Sequence, residues 1–125
     1  MRTIKGFVTV LALSAFIGIN VCHGEEVVNI QYIGHHNDHL EHFSPFDQPD
    51  VYYDNVNQAI IIDGDGAVDY YDVEIASVTN FVTVISTQVS GYYDTIDVSS
   101  LPATEYVITI YSPENNTYEG FFEIE

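Results

Sequence analysis

The 125-residue sequence has almost no fixed positive charge. Its two basic residues, Arg2 and Lys5, both lie in the first five positions, against 19 Asp and Glu residues in the whole chain. All 19 acidic residues fall between Glu25 and Glu125, so removing Arg2 and Lys5 from the net charge of −17 leaves −19. Binding to the phosphates of DNA or RNA and attraction to an anionic membrane surface both need cationic side chains. The acidic part of the chain is therefore predicted to do neither.

Cysteine and helical periodicity are also scarce. The one cysteine is Cys22, so residues 25–125 contain none and cannot form a disulfide on their own. No segment places apolar residues at three- and four-residue spacing over about ten positions, as an amphipathic helix requires. Because residues 25–125 have no Lys or Arg to hold an oxyanion or a phosphate, and their histidines cluster in one segment, we expect no enzyme activity.

Residues 1–24 have the three-part pattern of a secretory signal peptide: a basic start, an apolar run over 7–19, and small residues before an acidic pair. The apolar run is shorter than the roughly 20 residues that a membrane-spanning helix needs. We therefore expect cleavage after Gly24, which leaves residues 25–125 as a secreted or periplasmic protein. The alternative is acylation of Cys22, which would anchor the protein at the outer-membrane surface.

The rest of the chain consists of short β-branched and aromatic segments separated by turn residues, which predicts a single antiparallel β-sandwich domain over 25–125. A polar, His-rich range, 34–49, is interpreted as an irregular loop. About seven to eight strands are expected, at Val27–Ile33, Val51–Tyr53, Ala59–Ile62, Asp69–Ser77, Phe81–Val89, Tyr93–Val98, Tyr106–Tyr111 and Thr117–Ile124.

The segment Tyr93–Ile110, and above all its part Leu101-Pro102-Ala-Thr-Glu-Tyr106, resembles a signature of C-terminal bacterial β-sandwich modules. These modules include type IX secretion sorting domains and a family of small secreted proteins of gut bacteria catalogued as a domain of unknown function. The resemblance implies an immunoglobulin-like fold. The same hexapeptide is similar to the tyrosine corner of fibronectin type III domains. That similarity implies a structural role for Leu101, Pro102 and Tyr106, with the Tyr106 hydroxyl bonded to a nearby backbone group.

Two groups of side chains are candidate metal ligands. His35, His39 and His42 lie within eight residues, and neutral imidazoles at this spacing suit zinc. Asp63 and Asp65 are the aspartates of a flexible Asp-Gly-Asp-Gly turn, and Asp69 follows it closely. Carboxylates in such loops suit calcium. The alternatives are a solvated loop for the histidines and an ordinary hairpin turn for the aspartates. No cofactor is otherwise predicted.

The tripeptide Tyr-Tyr-Asp occurs three times, and its first tyrosines, Tyr52, Tyr70 and Tyr92, are candidates for a ligand platform. In a strand, the second tyrosine of each pair faces the core, and the first shares the outer face with the aspartate. An exposed tyrosine beside a carboxylate suits sugar stacking. The alternative is that aromatic residues are simply favoured on strands.

These observations favour a non-enzymatic binding or structural module of the cell envelope, whose partner is an unknown protein or glycan. One alternative is a protein that responds to calcium or zinc. A second is an accessory or inhibitory subunit that binds a secreted partner through an exposed sheet edge.

Overall fold

The computed structural model describes residues 24–34 and 46–125, and in these ranges the regular structure is entirely strand. The all-β prediction is confirmed. The strands are β1 (Glu25–Val27), β2 (Ile30–Gly34), β3 (Asp50–Asp54), β4 (Ala59–Asp63), β5 (Tyr70–Ser77), β6 (Thr83–Ser90), β7 (Tyr93–Asp97), β8 (Glu105–Tyr111) and β9 (Thr117–Glu123).

The described strands form two antiparallel sheets. The first has four strands in the order β1-β3-β4-β7, and the second has five in the order β2-β9-β8-β5-β6. Alternating side chains from both sheets build one shared core, to which β5 contributes Tyr71, Val73 and Ile75, all almost completely buried. The rings of Tyr53 and Phe122 meet across the sheets, with centroids 5.6 Å apart. The molecule is therefore a β-sandwich, as the period-two pattern predicts.

The first predicted strand, Val27–Ile33, is not continuous. The chain leaves the four-stranded sheet after β1 and enters the five-stranded sheet as β2, which brings the strands of the described ranges to nine. Val28 lies at the crossing with its side chain buried, and its backbone N–H donates to the Val51 carbonyl at 2.9 Å. The crossing keeps Val28 in the core while Asn29 remains exposed, so one short segment serves as an edge strand of both sheets.

Tyr106 lies where the chain has crossed from β7 in the first sheet to β8 in the second. Its side chain is 1% exposed, and its hydroxyl donates to the Pro102 carbonyl at 2.6 Å. Its ring stacks on that of Phe122 with a centroid distance of 5.6 Å. Leu101 packs against the same core from the connecting loop. This hydrogen bond joins two residues four positions apart at the end of the crossover and has the geometry of a tyrosine corner.

The substitution Tyr106→Phe should lower the free energy of unfolding by about 1–3 kcal/mol, because it leaves the Pro102 carbonyl without this donor while the ring still fills its site. Tyr111→Phe is the matched control, since the Tyr111 hydroxyl makes a long, exposed bond of 3.3 Å to Glu74. Its effect should stay below about 0.5 kcal/mol. Urea unfolding of both variants measures the difference, and equal effects would contradict the assigned role of the Tyr106 hydroxyl.

Candidate functional site: the open edge of the sandwich

The two long sides of the sandwich are built differently. On one side β1 and β2 are consecutive in the chain, so the crossing at Val28 bridges the two sheets. On the other side β6 ends the five-stranded sheet and β7 ends the four-stranded sheet, and the turn Gly91–Tyr92 connects the two strands. We call this second side the open edge. Its two strands belong to different sheets and diverge from the turn, and a groove lies between them.

A groove of about 520 Å³ runs along the open edge. Its inner wall is aliphatic, and its rim carries hydroxyl, amide and carboxylate groups. The described residues that line it are Ile85, Thr87, Gln88 and Val89 from β6, Asp94, Thr95, Ile96 and Asp97 from β7, and Ser100 beyond it.

Two carboxylates belong to the groove, and neutral donors hold both in place. Asp94 pairs with Ile62 in the register and so shares the inner row of its sheet, where its Oδ2 accepts the Ser90 N–H at 2.9 Å. Asp97 accepts the Ser99 N–H at 2.9 Å. That backbone bond, together with one from the Ser99 hydroxyl, lowers the pKa of Asp97 and favours its ionised form. The groove therefore presents fixed negative charge.

The free side of β6 also exposes hydrogen-bonding backbone. The Gly91 N–H donates to the Asp69 carbonyl at 2.9 Å, which makes these two residues a hydrogen-bonded pair. Hydrogen-bonded and non-hydrogen-bonded pairs alternate along an antiparallel ladder. Counting from this pair, Ser86 with Glu74 and Gln88 with Asp72 are both non-hydrogen-bonded pairs. The N–H and C=O of Ser86 and Gln88 consequently point away from β5, toward the open edge.

The turn that starts the open edge is tightly fixed. The N–H groups of Gly64 and Asp65 both donate to the Tyr92 carbonyl at 3.1 Å, and Gly66 donates to the Gly91 carbonyl at 3.0 Å. A Cβ atom on Gly91 would collide with the Val68 backbone, so only glycine fits there. The β4–β5 turn thus sets the point from which β6 and β7 separate.

The predicted metal ligands are not assembled by the part of the chain that the structure describes. His35, His39 and His42 lie outside the described residues. Asp63 instead accepts the Asp65 N–H at 3.1 Å within the β4–β5 turn, and Asp65 has the left-handed φ of 55° typical of a turn. Within residues 24–34 and 46–125, no three His, Cys, Asp or Glu side chains, Asp69 included, form a group suited to a metal ion.

The three candidate platform tyrosines lie on three different surfaces. Tyr52 is on the outer face of the four-stranded sheet, Tyr70 on the outer face of the five-stranded sheet, and Tyr92 in the turn between them, with its ring against Gly66. The prediction that the second tyrosine of each pair is buried is confirmed for the pairs in β3 and β5. It is wrong for Tyr93, which is 58% exposed. Tyr92 belongs to the turn, so β7 begins at Tyr93, which faces outward with Thr95.

A buried polar cluster, which the sequence did not indicate, closes one end of the sandwich. The Asp47 carboxylate is fully buried; it accepts a short hydrogen bond from the Tyr118 hydroxyl, and its two oxygens accept the Asn116 side-chain amide at 3.2 Å. The Tyr71 hydroxyl donates to the Asp47 backbone carbonyl at 2.7 Å. These partners are 24 to 71 residues away in sequence, so no local pattern could have identified them.

The cluster changes the ionisation of its tyrosines. Burial, reinforced by the negative charges of Asp47 and Asp63, raises the pKa of Tyr71 to about 12. Burial and the hydrogen bond to Asp47 also raise the pKa of Tyr118. Both hydroxyls therefore remain protonated donors at neutral pH, that of Tyr118 to the Asp47 carboxylate and that of Tyr71 to the Asp47 backbone carbonyl.

No protein-family model and no curated protein sequence matches the chain. Among solved structures, it is similar to the crystal structure of a DUF3244 family protein with an immunoglobulin-like β-sandwich fold from Bacteroides vulgatus. The two share 16% sequence identity with a TM-score of 0.63, over 81% of this chain and 99% of that chain. The likeness establishes the class of fold: this chain is an immunoglobulin-like β-sandwich, and that prediction is confirmed.

The described residues contain no helix with the length and apolar character needed to cross a membrane.

Protonation of Tyr71 predicts a specific loss of stability at alkaline pH. The unfolded chain releases the tyrosine proton near pH 10 and the folded chain only near pH 12. The contribution of the protonated Tyr71 hydroxyl to the free energy of unfolding is therefore complete below pH 10 and disappears as the pH rises through 12. Tyr71→Phe removes it at every pH. The difference in unfolding free energy between wild type and Tyr71→Phe should therefore narrow from pH 9 to about pH 12, as measured by urea unfolding. A constant difference would contradict the assignment.

Proposed function

We propose that this chain is an exported, non-enzymatic immunoglobulin-like module that binds a partner protein through its open edge. The observation that supports this most is the combination of an uncovered groove and outward-pointing backbone groups on one side of the sandwich. A sheet edge of this kind is a template for pairing with an extended segment of another chain. The three candidate platform tyrosines lie on three different surfaces, so they do not form one shared stacking surface.

The chemistry of the groove supports a binding role over catalysis. The described residues that line it carry aliphatic, hydroxyl, amide and carboxylate side chains. Catalysis by a pair of carboxylates requires both to flank one bond of the substrate, whereas Asp94 and Asp97 lie on opposite faces of β7. The solved structure to which the chain is similar belongs to a family of unknown function, so membership of that family and a shared role are also part of this proposal.

Export is the first part of the proposal to test. The intact mass of the protein recovered outside the cytoplasm should match residues 25–125, because the segment before Glu25 has the pattern of a cleavable signal. A mass that begins at Cys22 and includes acyl chains would contradict free export and place the protein on a membrane.

Binding at the open edge is tested by photocrosslinking in the cell envelope. A photoreactive phenylalanine analogue at Thr87, which is exposed and lines the groove, should form an adduct with a partner protein. The matched control is Gln31, an exposed residue on β2, the opposite edge strand of the same sheet. Adducts at Thr87 but not at Gln31 are expected. Equal adducts at both positions, or none at Thr87, would refute binding through the open edge.

A further inference from the structure

We infer that the occupant of the open edge is a cationic extended segment of the partner protein, which pairs with β6 as an additional strand. This inference rests on the proposed function and adds to it the charge, the backbone conformation and the register of the segment. Three features of the described residues support it: the placement of charge, the free backbone of β6, and an apolar surface at one end of that strand.

Negative charge surrounds one half of β6 on both of its faces. Asp94 lies in the inner row of β7, facing the groove, and the exposed Asp97 lies at its rim. On the outer face, the Gln88 side-chain amide donates to Asp72 at 3.1 Å, so this carboxylate lies directly beside the strand. A strand added to β6 would place its side chains alternately on these two faces. Cationic side chains on either face near Gln88 would then meet a carboxylate.

The backbone of β6 sets the register in which an added strand can pair with it. The N–H and C=O of Ser86 and Gln88 point away from β5, so an added strand can pair with them at the usual interstrand spacing of about 4.8 Å. The next outward N–H, that of Ser90, is already bonded to Asp94. Pairing is therefore confined to the stretch before Ser90, and the groove below it accepts the side chains that point inward.

The other end of β6 presents an apolar surface. Phe81, Val82 and Val84 are 71%, 57% and 43% exposed. Phe81 also has a left-handed φ of 57°, which a bulky residue rarely adopts, and its N–H bonds to the Ser77 carbonyl at 2.7 Å. The turn thus holds an aromatic side chain outward in an unfavourable backbone conformation. In an occupant that runs antiparallel to β6, the amino-terminal half lies near Asp94 and would carry the cationic residues. Its carboxyl-terminal half lies at this apolar surface and would carry apolar residues.

Charge distinguishes this occupant from a second copy of the chain. Residues 25–125 have a formal charge of −19 with no Lys or Arg, so two copies meeting edge to edge would bring Asp94 and Asp97 of each into proximity. Like charges placed together across an interface oppose association. A basic segment has the opposite electrostatics and would be drawn to the groove from a distance.

The probe is a peptide that matches the eight residues of β6 in length. Its amino-terminal half alternates lysine with threonine, and its carboxyl-terminal half alternates valine with threonine. Titration calorimetry against residues 25–125 should show binding that weakens as salt increases. Two control peptides test the two parts of the inference, which are the positive charge of the occupant and its pairing as a strand. One has glutamate in place of lysine, and the other has methyl groups on alternate backbone nitrogens, which block strand pairing without changing the charge. Neither control should bind.

Variants of the protein test the same two parts. The double variant Asp94→Asn, Asp97→Asn removes two negative charges but keeps side-chain oxygens that can accept the N–H groups of Ser90 and Ser99. It should weaken peptide binding about tenfold. Ser86→Pro removes an outward N–H that β5 does not use, so it should abolish binding with little effect on the melting temperature. Ser86→Ala is the matched control and should bind as the wild type does.

The outcomes separate this inference from the proposed function. Thr87 adducts without binding of the lysine peptide would overturn the cationic occupant and leave the open edge as a binding site. Binding of the N-methylated peptide would overturn strand addition. A dimer in sedimentation that Ser86→Pro dissociates would replace the partner by a second copy and overturn the inference. Absence of both Thr87 adducts and peptide binding would overturn the inference and the proposed function together.

Discussion

Between Glu25 and Glu125 the chain has 19 carboxylates and no lysine or arginine, so no carboxylate can be paired with a Lys or Arg from that range. Several are held by neutral donors instead. Asp54 accepts the N–H groups of Val56 and Asn57 and the Asn57 side-chain amide at 2.8 to 3.1 Å, and thereby shapes the β3–β4 turn. Hydrogen bonds to an ionised acceptor are stronger than those between neutral groups. Each such bond therefore fixes a turn or a loop while the charge remains unneutralised.

The unneutralised charge also bears on the uncovered sheet edge. Exposed edges invite pairing between copies, and many proteins cover them or place a charge on them. In this sandwich the crossing at Val28 bridges one side, and on the open edge the inward-facing Asp94 supplies the charge. Repulsion between acidic surfaces extends over roughly 10 Å at 0.1 M salt. Repulsion of this kind opposes pairing of β6 with another copy of the chain, whereas a partner of opposite charge would be attracted.

The sequence predicts those features that depend on local patterns. The alternation of Tyr71, Val73 and Ile75 with acidic residues identifies β5 and its buried face, and the hexapeptide that ends at Tyr106 identifies the crossover. The sequence does not predict which sheet a strand joins, because a period-two pattern is the same in either sheet. For this reason it does not reveal that Val27–Ile33 is divided between the two sheets. Asp47 was missed because its surroundings come from distant strands. The open edge was likewise visible only once the strand order was known.

The buried cluster and the open edge are connected through Tyr71. The Tyr71 hydroxyl bonds to the Asp47 carbonyl on one side. On the other, the Tyr71 ring lies so close to Gly64 that a Cβ there would be 2.7 Å from a ring carbon and would also meet the Gly91 carbonyl. Gly91 belongs to the turn from which β6 and β7 diverge. A chain of close contacts therefore runs from Asp47 through Tyr71 and Gly64 to this turn. The polar cluster and the turn at the start of the open edge are thus parts of one packed end of the sandwich.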